Sequence, residues 1–281
     1  KLFKNTDFIL GKEVGVFENN FAKYCGSKFA ISCANGTDAL TIALKSLNLP
    51  KQSEVIIPAM TYCSTAFAVI NANLKPVLVD TEYLKPTMDL DDLKRKITKK
   101  TKVILPVHLY GSVANLNTIK KLIKNKKIFL VDDCAQAHGA YDDSLGKSNK
   151  KIGSTSDISC FSFYPAKNLG AYGDAGIITT NNKKLYIVIK KIRNLGSEEK
   201  FMHEHIGLNS RLDTIQAIIL NKKIKNLTNL NKKRQKIATI YNTKIKNKNI
   251  AKLKYSKSCV YHQYVILVKK KKKLMKVFKK K

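Results

Sequence analysis

The run FSFYPAKNLGAYGDAG, residues 161–176, sets Lys167 among aromatic and small residues. A desolvated lysine loses basicity, and its free amine becomes a nucleophile suited to imine formation with a carbonyl compound. Taken alone, Lys167 also reads as a snorkelling side chain whose stem packs on the aromatics. Ser162, five residues earlier, can hold an oxygen of an anion. NGTD at 35–38 lies between a strand-like and a helix-like run. Gly36 lets backbone approach a ligand closely, and the amides of Thr37 and Asp38 at a helix start favour a phosphate; an ordinary helix cap is the plainer reading. VDD at 131–133 ends an apolar run in two acids. Side chains alternate along a strand, so one of the two can face a ligand and pair with a protonated ring nitrogen. Gln136, three residues on, can donate a hydrogen bond to the same ligand. Tyr62, in PAMTY, can stack on a planar group. An anion cradle, a carboxylate for a ring nitrogen, a stacking aromatic and an imine-forming lysine together describe a site for pyridoxal 5'-phosphate. The histidines fit no competing scheme, and the chain holds no HExxH, no GxSxG with triad partners and no GxGxxG.

Those four features must sit where strands end. FAISCA, EVIIPA, KPVLVD, KVILPVHLYG, KIFLVDD, ISCFSFY and AGIITT read as strands, and helix-like segments such as DALTIALKSLNL and a helix from about Asn115 to Lys124 alternate with them. The strands are continuous apolar runs, which predicts a sheet covered on both faces. The expected fold class is α/β, a three-layer αβα sandwich with a mostly parallel sheet, in which ligands bind at the carboxyl ends of the strands. After Arg211 the pattern turns helical, and RLDTIQAIILNKKIKNLTNLNKKRQKIATIYNTKIK predicts one long helix or two. We therefore expect a large cofactor-binding domain over 1–215. Residues 216–281 should hold that long helix and the beginning of a small C-terminal domain. The chain starts at Lys1, and the strand candidate VYHQYVILV near its end has no following partner, so the small domain is expected to be cut short.

A length of 281 residues and 44% hydrophobic content are enough for a sizeable core. No apolar run is long enough for a membrane span. Six scattered cysteines without a CxxC pair fit neither a disulfide framework nor a metal site, and suit a reducing cytoplasm. Residues 181–281 carry 29 basic against 4 acidic residues, which could serve nucleic acid or an anionic membrane. Only four of the 53 basic residues are arginine, the residue favoured for bidentate base and phosphate recognition. Lysine, asparagine and isoleucine are all abundant, so the charge reads as compositional drift, with no nucleic-acid or membrane partner.

Taken in order, CANGTDAL, VIIPAMTY, KPVLVD, PVHLYG, VDDCAQAHGA, FSFYPAKNLGAYGDAG and RNLGS followed by IGLNSRLDTIQA resemble the DegT/DnrJ/EryC1/StrS family of pyridoxal-phosphate-dependent sugar aminotransferases, from about Thr6 to the C-terminus. The resemblance implies fold type I, with Lys167 as the catalytic lysine that carries the cofactor. It implies that Asp133 pairs the ring nitrogen, while Asp132 stands where members often have Glu. Gln136 matches the residue beside the ring hydroxyl, Tyr62 the stacking position, and Ser162 with the Gly36–Thr37–Asp38 turn the phosphate site. Asn209 matches a residue that reaches the cofactor phosphate of a neighbouring subunit, which implies a homodimer. GDAG replaces the commoner GDGG. Relatives that dehydrate sugars carry histidine in place of the lysine, so Lys167 points to transamination. The implied reaction moves an amino group from glutamate to a nucleotide-linked keto-deoxysugar, for amino sugars of a surface polysaccharide or glycan. Its rivals are a protein of the same fold with a dehydratase or regulatory role, and a non-enzymatic basic binding protein.

Overall fold

A computed structural model describes residues 6–145, 150–197 and 202–279. The helices and strands follow in the order α1 (Lys12–Cys25), β1 (Phe29–Cys33), α2 (Gly36–Ser46), β2 (Glu54–Pro58), α3 (Cys63–Asn71), β3 (Lys75–Val79), α4 (Leu90–Lys96), β4 (Thr101–Ile104), α5 (Leu116–Ile123), β5 (Phe129–Asp133), β6 (Ile158–Ser162), β7 (Gly176–Thr180), α6 (Lys183–Arg193), α7 (Thr214–Ile224), α8 (Leu227–Lys244), β8 (Ile250–Lys252), β9 (Ile266–Val268) and α9 (Lys271–Lys279).

Seven strands form one sheet in the order β1-β7-β6-β5-β4-β2-β3. β7 runs antiparallel to both β1 and β6, and every other neighbouring pair is parallel. The carboxyl ends of β1, β2, β5 and β6 therefore lie along one edge. The apolar runs divide their side chains between the two faces. Ile56, Leu130, Phe161 and Ile177 enter one core, beneath α1, α4, α5 and α7. Val55 and Ile57, Val131, Cys160 and Ile178 enter the other, beneath α2, α3 and α6. This is the expected three-layer sandwich, and β2 and β7 are buried along their whole length. An edge-to-face aromatic cluster centred on Phe21, with Phe161 and Phe163, fills the first core directly under the strand end that leads to Lys167.

The helical region after Arg211 is two helices, α7 and α8, with Ala217, Leu220, Ile224 and Leu227 in the same core as α1. VYHQYVILV departs from expectation. Only Ile266–Val268 is strand, and it has a partner, pairing antiparallel with β8. Its start is spent otherwise: Val260 is buried, as is Cys259 just before the run, and the Val260 amide donates to the Gly111 carbonyl at 3.1 Å. Burial beside the Gly111 turn uses Val260, a side chain that the sequence assigned to strand pairing. Gly111 has φ +90, and a Cβ there would meet Val260 at 2.9 Å, so glycine is required for this close crossing. Among the described residues no helix is long and apolar enough to cross a membrane.

Candidate functional site

The strand ends line a cavity of about 950 Å³ whose walls include Gly36, Thr37, Asp38, Tyr62, Asp133, Gln136, Ser162 and Lys167. Eight of the nine residues singled out in the sequence thus converge. Asn209 does not line this cavity; it is exposed and forms an isolated bridge to Asn194.

At the first strand end, Asn35 rather than a residue of the predicted pair caps α2. Its Oδ1 accepts from the Asp38 amide at 2.8 Å. That amide is therefore engaged, contrary to the expectation that it is free for an anion. The Gly36 and Thr37 amides have no protein acceptor among the described hydrogen bonds, and they sit at the positive end of the helix. The Asp38 carboxylate turns to Ser210, whose Oγ donates to it at 2.6 Å and itself accepts from the Ala34 amide at 3.0 Å. Gly36 faces Ser162 across the turn: a Cβ on Gly36 would fall 2.5 Å from the Ser162 Cβ. The two expected anion-binding elements are in contact because this position has no side chain.

Asp133 ends β5 at the cavity floor. Its Oδ1 accepts from the Ala135 amide at 3.1 Å and its Oδ2 from Thr65 Oγ1 at 2.8 Å. The Thr61 and Thr65 hydroxyls also share a hydrogen bond, at 2.8 Å. Burial pushes the Asp133 carboxyl above its usual range, against the bonds from Ala135 and Thr65 and the charge of Lys167. A cation held against this carboxylate would relieve that penalty. Asp132 points to the opposite face. Its Oδ1 accepts from Ser156 at 2.6 Å, and its Oδ2 lies 3.5 Å from His108 Nε2. The buried donors of His108, Asp132 and Cys134 lie within 4.8 Å of one another. His108 Nδ1 accepts from the Ala114 amide at 3.1 Å, which places the ring proton on Nε2, facing Asp132. Burial also pushes the Cys134 thiol well up, away from the thiolate a metal would need. The group is a polar pair inside the sheet layer.

Gln136 Oε1 accepts from the Tyr110 amide at 2.6 Å, which leaves its NH2 as the donating end. Tyr110 adopts φ 58, a left-handed conformation that costs a non-glycine residue energy and marks a constrained site. Tyr62 precedes α3 and stands 68% exposed at the cavity rim, with a face open for stacking. Lys167 is half-buried, and its amide donates to the Tyr164 carbonyl at 2.8 Å. Burial holds its side-chain amine below the ordinary lysine value, with Asp133 opposing. A lowered basicity favours the free, nucleophilic form of the amine.

Three contributors escaped the sequence reading. Thr65 supports Asp133 from α3, the helix after β2, two strands away in the sheet, and local sequence carries no sign of that pairing. Asn35 does carry one, since asparagine is a preferred cap. His262 lines the cavity from the C-terminal segment, and burial pushes its ring down to about 4.

The sequence model of the DegT/DnrJ/EryC1/StrS aminotransferase family matches residues 1–281. The chain is 38% identical over 234 residues to "dTDP-3-amino-3,4,6-trideoxy-alpha-D-glucose transaminase" of Streptomyces venezuelae, covering 83% of this chain and 60% of that protein. It is 40% identical over 264 residues to "dTDP-3-amino-3,6-dideoxy-alpha-D-galactopyranose transaminase" of Aneurinibacillus thermoaerophilus, covering 93% and 71% respectively. Its fold superposes on the crystal structure of S. venezuelae DesV with a TM-score of 0.94 at 33% identity, over 99% of this chain and 74% of that one. The match thus spans 60% of one curated relative's length and 71% of the other's.

Proposed function

Because this chain belongs to the DegT/DnrJ/EryC1/StrS aminotransferase family, we propose that it is a pyridoxal-phosphate-dependent aminotransferase that moves an amino group from glutamate to a nucleotide-linked keto-deoxysugar. The observation that carries the reading is the pairing of a desolvated lysine, Lys167, with a buried carboxylate, Asp133, on one cavity floor. The donor set fits the cofactor. The Gly36 and Thr37 amides and the Ser162 hydroxyl take the phosphate, Asp133 the ring nitrogen, Gln136 the ring hydroxyl, and Tyr62 the ring face. When bound, pyridoxal phosphate supplies an electrophilic aldehyde and a ring that accepts the electron pair of a deprotonated carbon.

Lys167 would hold that group through its side-chain amine and, with glutamate bound, would take the proton from the donor's α-carbon. In the second half of the cycle it returns a proton to the carbon that becomes the amino-bearing carbon of the sugar. Its depressed basicity suits both directions, because a general base works best with a pKa near the operating pH. Asp133 keeps a positive charge on the ring nitrogen. Thr65 and the Ala135 amide hold the carboxylate in place and favour its charged form against the effect of burial.

Two further parts belong to the same reading. The protein works as a homodimer in the cytoplasm, with Asn209 reaching the neighbour's phosphate site. The exposed position of Asn209 supports this, as do Phe67 and Ile70, which stand about half exposed on α3 beside Tyr62. The product feeds a surface polysaccharide or glycan.

Gly36→Ala tests the anion site directly. The overlap with Ser162 costs about 1–3 kcal/mol, and we expect cofactor to bind at least about tenfold more weakly, since 1.4 kcal/mol is a factor of ten. Titration of cofactor-depleted protein measures this, and unchanged affinity would remove the Gly36–Ser162 pair from the phosphate site. The reaction itself is tested with 15N-labelled glutamate and a panel of nucleotide keto-sugars. Label is expected in a sugar product; release of 2-oxoglutarate with none of the keto-sugars would contradict the substrate class.

A further inference from the structure

Two buried asparagines outside the cofactor's donor set connect the walls of the site. Asn168, which follows Lys167, is 7% exposed, and Asn231, in the second turn of α8, is 5% exposed. Asn168 Nδ2 donates to Asn231 Oδ1 at 2.9 Å and to the Val260 carbonyl at 3.0 Å. Asn231 Nδ2 donates to the His138 carbonyl at 2.8 Å. Three segments therefore meet on two side-chain amides. They are the turn that carries Lys167, the turn that follows Asp133, and the C-terminal segment that brings His262 to the cavity two residues after Val260. The fit is tight: a Cβ on Gly139 would lie 3.0 Å from Asn231 Nδ2. The pair is retained at a cost. Asparagine is a poor helix former, and Asn168 Oδ1 is buried with no partner among the described residues.

We propose that Asn168 and Asn231 form a positioning bridge that fixes Lys167 relative to Asp133 and to the His262 wall. The proposal rests on the reading of Lys167 as the working amine. The groups coupled electrostatically to Lys167 are Asp133 from β5, His138 from the turn after it and His262 from the C-terminal segment, and Asp174 lines the same cavity. Burial pushes His138 down to about 3 and His262 to about 4, so both rings are neutral at working pH. The basicity of Lys167 then depends on its burial and its distance from Asp133. Both are set by where the turn sits, and the bridge sets the turn.

The test uses cofactor-free protein. Competitive acetylation with acetic anhydride across pH, read by mass spectrometry of the Lys167 peptide, gives the midpoint of this amine. Asn168→Ala and Asn231→Ala are each expected to raise the midpoint by about half a unit or more, toward the ordinary lysine value. The double variant should move it no further than either single one, since both remove one bridge. In cofactor-loaded protein kcat should fall more than KM changes. Asn231→Ser, which keeps a donor and an acceptor, should lie between, and it serves if the alanine variant does not fold. Leu227→Ala, fully buried on the same helix, should lower Tm without moving the midpoint. A fall in Tm with the Lys167 midpoint unmoved in the asparagine variants would overturn the bridge. A wild-type midpoint at the ordinary lysine value would instead overturn the reading of Lys167, so the two failures are distinguishable.

Discussion

Replacing Lys167 with alanine is expected to abolish amine transfer, lowering the rate by about 10⁴-fold or more, because one side chain supplies both the covalent anchor and the general base. The fold should survive. Lys167 lines the cavity, and its backbone bond to Tyr164 does not depend on the side chain. Circular dichroism should therefore match the parent while 2-oxoglutarate release from glutamate disappears. Lys167→Arg should fail nearly as badly despite keeping the charge, since a guanidinium stays protonated and cannot act as nucleophile or base. An alanine variant that keeps more than a tenth of the parent turnover would take Lys167 out of the reaction.

The second large effect belongs to Asp133. Asp133→Asn keeps the shape of the side chain and an oxygen for one of its two donors, Thr65 Oγ1 or the Ala135 amide. It removes the charge that holds a proton on the ring nitrogen. Losing one preorganised electrostatic partner in a dry site lowers kcat by about 10²–10³-fold, and we expect this range with only a small change in Tm. Asp132→Asn is the paired control. Asp132 is the neighbour on the same strand, but its carboxylate faces Ser156 and His108 on the other side of the sheet. It should lower stability and leave kcat nearly intact. Steady-state kinetics and thermal melts on both variants separate the two faces. A kcat for Asp133→Asn within about threefold of the parent, well short of that range, would remove the ring-nitrogen role.

How far the site was legible in the sequence follows from which interactions are local. Strand ends are local: EVIIPA and KIFLVDD show apolar runs that stop at Pro58 and at the Asp pair, and the structure stops β2 and β5 there. Alternation along β5 separates Asp132 from Asp133, although which of the two faces the cavity came from the family resemblance. Sheet order is not local. The insertion of antiparallel β7 between β1 and β6 brings Gly36 against Ser162, and neither stretch carries a sign of the other. Thr65 reaches Asp133 from 68 residues away. The Asn35 cap was within reach of sequence reading, yet it competes with Thr37 and Asp38 in one short turn, and only geometry decides that the Asp38 amide is used internally. His262 was hidden by its neighbours. VYHQYVILV has the composition of a strand, but its first residue, Val260, is buried against the Gly111 turn, and that contact brings the histidine two residues on to the cavity.

The central claim is that the Lys167 amine holds pyridoxal phosphate. The most direct measurement is borohydride reduction of protein loaded with pyridoxal phosphate, followed by proteolysis and mass spectrometry. The chain has 53 basic residues, nearly all lysine, so the position of the label is informative. The account predicts one reduced pyridoxyl adduct per chain, on the peptide that carries Lys167, and none in Lys167→Ala. Label spread over surface lysines, or fixed at another single lysine, would contradict it.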